Sequence, residues 1–235
     1  MIYIYIIIVL IFASISYYLK KVSLSGAIVG AIISFLLLWN NWVNFLLFGL
    51  FFVLGSVATK WQFERKRQLN VLQENEGIRT WIHASANGGI PALFSLLALL
   101  FPEFASLTYA ATVAIAAALS DTLSSELGNV YGSRYIDILS FKKGKRGDDG
   151  VISLEGTLFG VLGSLLIAVL FGVLTVNYTV ILPITIAGFA GNLMDSYLGA
   201  TLQRKGWINN HFVNFLNTLF AAFLLVLGFY IFTNY

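Results

Sequence analysis

The sequence contains no cysteine among its 235 residues. This absence excludes a disulfide, a thiol nucleophile and a thiolate metal site. Charged residues are also scarce, at 11% of the chain, compared with roughly 25% in a soluble domain. In contrast, 58% of the residues are hydrophobic and the mean hydropathy is +0.84. The composition therefore predicts an all-α, polytopic membrane protein, with residues 1–235 forming a single integral membrane domain.

Eight apolar runs have about the length that crosses a bilayer as a helix. The second and third are short and are joined only by Asn40 and Asn41, so a hairpin that does not cross, giving seven spans, is the alternative. The first run lacks the basic n-region of a secretory signal, and we expect it to be a retained span. The runs cover residues 2–19, 25–39, 42–58, 81–101, 104–127, 151–176, 180–202 and 212–232.

The basic residues predict how these helices are oriented. All 14 lysines and arginines lie in the odd-numbered connections between runs, and the even-numbered connections contain none. Because positively charged loops remain in the cytoplasm, we expect loops 60–80 and 133–150 to be cytoplasmic and both termini to be extracytoplasmic. This orientation also explains the net charge of +3, so we do not expect a nucleic-acid partner.

The segment DTLSSELGN, residues 121–129, places two carboxylates at the end of the fifth apolar run. The helical period puts Asp121 and Glu126 on adjacent stripes, which we interpret as one polar sector. An ionised acid in hydrocarbon costs at least ~2.5 kcal/mol, so it persists with a partner, a metal or water. Simple hydrogen bonding between helices is the alternative, but two acids are more costly than a serine or asparagine would be.

A third acid, Asp195, lies on a polar stripe of the seventh run, at helical spacings from Asn192 and Gln203. Two helices thus supply three carboxylates at the predicted cytoplasmic side. Carboxylate oxygens are the hard ligands that Mg²⁺ prefers, usually together with substrate phosphates and waters. We therefore predict that Asp121, Glu126 and Asp195 are both the metal ligands and the catalytic residues. A zinc site is not expected.

Basic and amide side chains at the same side suit phosphate binding. The loop RYIDILSFKKGKRGDDG, residues 134–150, interleaves cations with glycines but lacks the Walker A pattern, and a plain positive-inside loop is the alternative. Arg79, His83 and Asn87 share one helical face. The roles of His83 and Glu155 stay open. The residues expected to contact substrate or nucleotide phosphates are Lys60, Arg79, Asn87, Lys142, Lys143, Lys145, Arg146, Asn192, Gln203 and Asn217.

Two segments of the chain echo each other. SLSGAIVGAIIS at 23–34 and SLEGTLFGVLGS at 153–164 share serine, leucine and glycine positions. This similarity predicts a parallel 4+4 internal repeat of helices. Recurrence of small residues in a chain with 21 glycines explains it equally well. In either case we expect the shared glycines to permit close helix contact.

Several motifs, in this order along the chain, resemble those of one known membrane family. They are DTLSSELG at 121–128, DGVISLEGTLFGVLGS at 149–164, MDSYLGATLQ at 194–203 and VNFLN at 213–217. This family includes plant phytyl-phosphate kinase and animal transmembrane protein nineteen, and the resemblance extends over most of residues 23–230. It implies a Mg²⁺-dependent kinase that transfers a phosphoryl group from CTP or ATP to an isoprenyl monophosphate of phytyl, geranylgeranyl or farnesyl type.

Two other functions are compatible with the same residues. An ion-coupled transporter would also bury acids and repeat a helical unit. Transporters usually place their site near the midplane, whereas these polar groups lie toward one side of the membrane. A lipid-phosphate nucleotidyltransferase would use the same ligands and differ in the product it releases.

Overall fold

The computed structural model of the protein describes residues 2–72 and 77–233, with side chains to residue 231. In this part of the chain each apolar run forms a helix. The main helices are α1 (Ile2–Tyr18), α2 (Leu24–Asn40), α3 (Trp42–Lys60), α5 (Trp81–Leu100), α6 (Ala105–Tyr131), α7 (Leu154–Leu174), α8 (Ile181–Leu198) and α9 (Asn210–Thr233). Shorter elements are helix α4 (Phe63–Gln68) and strands β1 (Tyr135–Asp137) and β2 (Val151–Ser153), which pair antiparallel.

Six of the described helices are long and apolar enough to cross a membrane. They are α3, α5, α6, α7, α9 and α8, the last with its flanking turns over Tyr178–Gln203. Helices α1 and α2 have 17 residues each and rise about 25 Å, less than the ~30 Å of a typical hydrocarbon core. The chain is therefore an integral membrane protein built of helices, and crossing by all eight apolar helices stays a prediction.

Helix α6 lies at the centre of the bundle. Residues 110–119, mostly alanine, have no exposed surface because α3, α5, α7, α8 and α9 all pack around α6. A helix that is apolar on every face requires burial on every face, and small alanine side chains let the neighbours approach closely. Helix α6 therefore carries residue 121 and those after it from the core to one end of the bundle.

The helix connections gather at two opposite ends. At one end, Asn40 donates to Thr108 at 3.5 Å and Asn177 donates to Tyr109 at 3.1 Å. At the other end, which we call the basic end, the connections that contain lysine and arginine meet. There the backbone amide of Arg79 donates to the carbonyl of Lys21, in the α1–α2 connection, at 3.1 Å. The polar motifs of α6 and α8 lie at this basic end.

Helix α7, the sixth of the main helices, starts later than its apolar run. Residues Val151–Ser153 form β2 instead of helix, because they pair with Tyr135–Asp137 across the intervening loop. Ser153 then caps α7 by accepting a hydrogen bond from the amide of Gly156 at 3.1 Å, and Ser23 caps α2 through Gly26 at the same distance. The two echoed segments thus begin with the same kind of helix cap.

The packing of the two chain halves differs. Helix α2 packs against α5, whereas the corresponding α7 and α9 do not pack extensively in the described part of the chain. The 4+4 repeat therefore stays a prediction. Gly156 does permit close contact, since a Cβ there would lie 2.9 Å from the Ser124 carbonyl of α6. Gly30 differs from this expectation, because a Cβ there would meet nothing within 4 Å.

Candidate functional site

A polar cleft of about 190 Å³ opens at the basic end. It lies between α6, α7, α8 and the loop that precedes β2. Four of its lining residues are aspartates, and no lysine or arginine lines it among the described residues. Its polar lining consists of Asp121, Ser124, Ser125, Asn129, Tyr135, Asp148, Asp149, Ser153, Asn192, Asp195, Ser196, Gln203 and Asn210.

Two carboxylates face each other in this cleft. Asp121 of α6 and Asp195 of α8 lie in hydrogen-bonding contact. Asn217 of α9 donates to Oδ2 of Asp195 at 2.8 Å. Asn214, with its amide oriented to satisfy its neighbours, donates to the same oxygen at 3.2 Å. Two ionised carboxylates in contact repel each other strongly away from bulk water, so the pair requires a shared proton or a bound cation.

The oxygen ligands that the cleft offers fit a magnesium ion held by two carboxylates. Mg²⁺ is usually bound by one or two protein carboxylates, with substrate phosphates and waters completing its octahedron. Asp121 and Asp195 supply that number, and the Oδ1 atom of Asn217 is a further buried oxygen that has no hydrogen-bond partner among the described residues. No group of three or more His, Cys, Asp and Glu side chains suited to a metal occurs in residues 2–72 and 77–231.

Glu126 does not join this pair, which corrects the predicted set of three carboxylates to two. Five residues after Asp121, it lies about 140° further around the helix and faces α3 and α4. There it forms a salt bridge with Lys66, whose side chain is only 1% exposed. Lys66 also donates to the carbonyl oxygens of Ala58 at 2.7 Å and Thr59 at 3.1 Å. Glu126 therefore fastens α4 to α6.

The end of α8 holds the acidic loop over the cleft. Gln203 donates to Oδ1 of Asp149 at 2.8 Å, and Arg204 donates to the Asp149 carbonyl. Arg204 also pairs with Asp137 at 2.8 Å. Hydrogen bonds from Ser140, together with Arg204, lower the pKa of Asp137 to about 2. Burial raises the pKa of Asp149, and the Arg204 charge opposes that rise.

Glycine is required where this loop touches the helix. Gly150 has a φ of +73°, in the left-handed region that favours glycine. A Cβ at this position would overlap Ala200, so the loop backbone lies directly on the π-helical segment Gly199–Gln203. This contact brings Asp149 close enough to Asp195 for their charges to interact.

The predicted amide residues divide between two places. Asn192 and Gln203 line the cleft, and Asn217 contacts Asp195 as described above. Asn87 instead lines a separate, largely apolar cavity between α1, α2, α3 and α5. Of these four side chains, the structure thus brings Asn192 and Gln203 to the cleft and Asn217 to Asp195.

The predicted cations lie outside the cleft. Lys60 is exposed, with Nζ 5.5 Å from the ring centroid of Phe63, and Arg79 lines the apolar cavity. Arg146 donates to two backbone carbonyls, at 3.1 and 3.0 Å, and anchors the loop to the end of α6. The remaining three are exposed on the loop that lines the cleft: Lys142, Lys143 and Lys145.

The two residues whose roles were open have local partners. His83 accepts from the amide of Thr80 at 3.2 Å and so caps α5. Glu155 accepts from the amide and hydroxyl of Ser133 at 3.1 and 2.6 Å. Asp148 and Asp149 are cleft residues that the sequence reasoning missed, although the DDG motif between flexible glycines could have indicated them.

Fold and cleft together define a polytopic helical membrane protein with a paired-aspartate site at one end of its bundle. The chain belongs to the integral membrane protein family DUF92, whose family model matches residues 7–222. This is the family that the sequence motifs resemble.

Three relatives show the extent of the similarity. An uncharacterized membrane protein of Methanocaldococcus jannaschii is 37% identical over 203 residues, which are 86% of this chain and 83% of that protein. An uncharacterized membrane protein of Synechocystis is 31% identical over 192 residues, 79% and 74% of the two chains. Protein VTE6, chloroplastic, of Arabidopsis thaliana is 32% identical over 194 residues, 78% of this chain and 58% of VTE6. No solved structure matches the chain.

Proposed function

We propose that the protein is a polyprenyl-phosphate kinase, which transfers a phosphoryl group from CTP or ATP to an isoprenyl monophosphate and yields the diphosphate. One observation carries this proposal: Asp121 and Asp195 face each other in a cleft lined by four aspartates and, within the described residues, by no lysine or arginine. Such a cleft repels phosphates unless cations enter with them, as they do in a magnesium–nucleotide complex.

The family adds support from a separate direction. The motifs that line the cleft belong to the segments that resemble the family of plant phytyl-phosphate kinase, and VTE6 is similar over 78% of this chain. An isoprenyl chain would remain among the helices while its phosphate meets the nucleotide at the basic end. By the positive-inside rule, that end faces the cytoplasm, where nucleoside triphosphates are available.

The reaction needs no covalent intermediate with the protein, because the phosphoryl group passes directly from donor to acceptor. The acceptor phosphate is ionised near neutral pH, so no strong base is needed. One of its oxygens forms a bond to the terminal phosphorus of the donor, the bond from that phosphorus to the bridging oxygen breaks, and the nucleoside diphosphate leaves with the electron pair. Magnesium, when bound, neutralises charge on the transferred group.

The residues of the chain have distinct parts in this proposal. Asp121 and Asp195 would hold the metal, and Asn217 fixes the orientation of Asp195. Asn192 and Gln203 would orient phosphate oxygens. The exposed lysines of the loop would raise the local concentration of the anionic nucleotide, because clustered charge acts over distance. They are Lys142, Lys143 and Lys145.

The test uses detergent-solubilised protein with Mg²⁺, CTP or ATP, and a panel of prenyl monophosphates. Mass spectrometry should find the prenyl diphosphate together with the nucleoside diphosphate. Asp121→Asn should reduce product formation by at least roughly 100-fold. Glu64→Gln is the matched control, because Glu64 is an exposed acid at the same end of the bundle.

The alternatives give different readouts. Release of pyrophosphate would identify a nucleotidyltransferase instead. Solute uptake into proteoliposomes without any nucleotide would identify a transporter. Full activity of the Asp121→Asn variant would contradict the metal role that the proposal assigns to the aspartate pair.

A further inference from the structure

A second cavity, of about 50 Å³, lies at the basic end between α1, α2, α3 and α5. None of its described lining residues also lines the acidic cleft. Gly30 borders it, at the position where a Cβ would meet nothing within 4 Å. The lining is largely apolar and includes four phenylalanine rings, those of Phe12, Phe48, Phe51 and Phe52.

Arg79 is the one lysine or arginine among the described residues that line this cavity. Its guanidinium carbon lies 5.0 Å from the ring centroid of Phe51 and 5.4 Å from that of Phe52. Its guanidinium has no hydrogen-bond acceptor and no acid within 4 Å in residues 2–72 and 77–231. A guanidinium has five N–H donors, so this one has unused capacity for an anion.

Two further observations describe this polar corner of the cavity. Burial lowers the pKa of Arg79 to about 10, against the opposing effect of the Glu126 charge, so the side chain is cationic at neutral pH. Asn87 donates to the carbonyl of His83 at 3.2 Å, and its buried Oδ1 accepts no hydrogen bond from the part of the chain that the structure describes. The cavity therefore combines an apolar wall with unsatisfied polar groups, which is the lining that an amphipathic ligand requires.

We propose that this cavity binds a lipid with one apolar chain and a terminal phosphate, the phosphate on Arg79 and the chain against the phenylalanine rings. The planar guanidinium matches phosphate oxygens in a two-pronged hydrogen bond. Free phosphate would leave the apolar wall unused, and a nucleotide would bring ribose and base polar groups against it. An isoprenyl monophosphate is such a lipid, and for the identity of the lipid the inference rests on the proposed function. Because the described lining residues of the cavity and the cleft do not overlap, the phosphate held on Arg79 is not in the position from which it would react in the acidic cleft.

The first experiment measures binding without turnover. Detergent-solubilised protein, free of nucleotide and Mg²⁺, is titrated with geranylgeranyl monophosphate and followed by native mass spectrometry. The corresponding alcohol should bind roughly 10- to 100-fold more weakly, because it offers the guanidinium no charged acceptor. Inorganic phosphate should not displace the lipid. Equal binding of alcohol and monophosphate, or displacement by inorganic phosphate, would overturn the inference.

The second experiment uses matched variants. Arg79→Met should weaken binding of the monophosphate by roughly 10- to 100-fold and leave the alcohol unaffected. Lys205→Met is its control, since Lys205 is an exposed cation 4.9 Å from the Trp207 ring centroid and lies outside both cavities. Gly30→Leu should fill the cavity and weaken both ligands, whereas Gly228→Leu, also with nothing within 4 Å, should not.

Two more variants distinguish a loss of lipid binding from misfolding and from a loss of turnover. If Arg79→Met does not fold, Arg79→Lys is the substitute. It keeps the positive charge but cannot form the two-pronged hydrogen bond, so it should lose part of the affinity for the monophosphate. Asp121→Asn should retain lipid binding even though it loses turnover. Lipid binding without any kinase activity would contradict the proposed function alone. Loss of lipid binding in Asp121→Asn but not in Arg79→Met would put the lipid phosphate in the acidic cleft and overturn the inference.

Discussion

The two cavities at the basic end have opposite electrostatic character. The cleft between α6, α7 and α8 is lined by four aspartates and, in the described part of the chain, by no lysine or arginine. The cavity between α1, α2, α3 and α5 is lined there by Arg79 and by no carboxylate. Each lining attracts what the other repels, so the cleft suits cations and the cavity suits an anion.

One helix contributes to both environments. Asp121 of α6 lines the acidic cleft, whereas the methyl group of Thr122, the next residue, lies against Gly55 of α3 together with the guanidinium of Arg79. Successive helical residues point about 100° apart, so adjacent positions can serve different neighbours. Polar residues close in sequence on a buried helix therefore need not belong to one site.

Removal of divalent ions should have the largest effect and should affect the two cavities differently. EDTA should abolish prenyl diphosphate formation, and added Mg²⁺ should restore it, because the aspartate pair repels phosphates without a cation. Binding of geranylgeranyl monophosphate to the apolar cavity should not change. Both quantities are measured on the same preparation, by mass spectrometry of products and of the lipid complex. Turnover that persists in EDTA would contradict a role for divalent ions at the aspartate pair.

The buried Lys66–Glu126 pair should come next in magnitude. Lys66→Met or Glu126→Gln alone removes one partner of a buried ion pair and should reduce the free energy of unfolding by roughly 3–5 kcal/mol. The double variant should recover most of this loss, because no uncompensated charge remains. Thermal unfolding of the solubilised protein measures the effect.

Two further measurements accompany that experiment: the stability change on removing an exposed ion pair, and the kinase activity of the double variant. Glu64 and Arg67, 4.0 Å apart and about 70% exposed, form the control pair, whose removal should cost roughly 0–1 kcal/mol. The Lys66→Met, Glu126→Gln double variant should keep its kinase activity if Glu126 only fastens α4 to α6. A double variant that folds but is inactive would indicate that Glu126 takes part in the reaction at the cleft.

A smaller effect is expected at the loop that carries Asp148 and Asp149. Gly150→Ala should lower stability by roughly 1–3 kcal/mol, because the residue has a φ of +73° and the new methyl overlaps Ala200. Gly206→Ala is the control, with a φ of +70° and nothing within 4 Å, and should cost only about 1 kcal/mol. Raised KM for the nucleotide in Gly150→Ala alone would connect the loop position to the acidic cleft, whereas unchanged KM would separate them.

Local sequence patterns predicted most of the helices and part of the candidate site. The apolar runs have lengths that only helices satisfy inside a membrane, and each run forms one. Asn192, Asp195 and Gln203 repeat at helical spacing, and all three line the cleft. In these cases the relevant information lies within a single helix.

The remaining features depend on partners distant in sequence. The sequence places Lys66 only within the predicted cytoplasmic loop 60–80, since its partner Glu126 is 60 residues away. The apolar run 151–176 predicts helix where strand β2 forms, because the pairing of β2 with Tyr135–Asp137 does not show in its own composition. The apolar cavity requires four helices to meet, and no pattern within one of them indicates it.

The smallest effect should be at Asp137, which Arg204 contacts from the end of α8. Asp137 accepts from the amides of Leu139 at 3.1 Å and Ser140 at 2.8 Å, and its pKa falls from 3.8 to about 2. A carboxyl with a depressed pKa contributes stability above its ordinary pKa and loses it as the pH falls through the folded value. Protection of these two amides from hydrogen exchange should therefore decrease between about pH 4 and pH 2.

The variant Asp137→Asn isolates the charge in that contact, because its amide oxygen still accepts the two backbone hydrogen bonds. At pH 5 it should protect the Leu139 and Ser140 amides less than the natural aspartate does, and this difference should shrink as the pH falls toward and below 2. The difference should be small, since Arg204 is 43% exposed and water screens the pair. Equal protection at pH 5 would mean that the ion pair between Arg204 and Asp137 does not hold the loop, leaving the hydrogen bonds to Asp149 and the contact of Gly150 with Ala200 as its attachments.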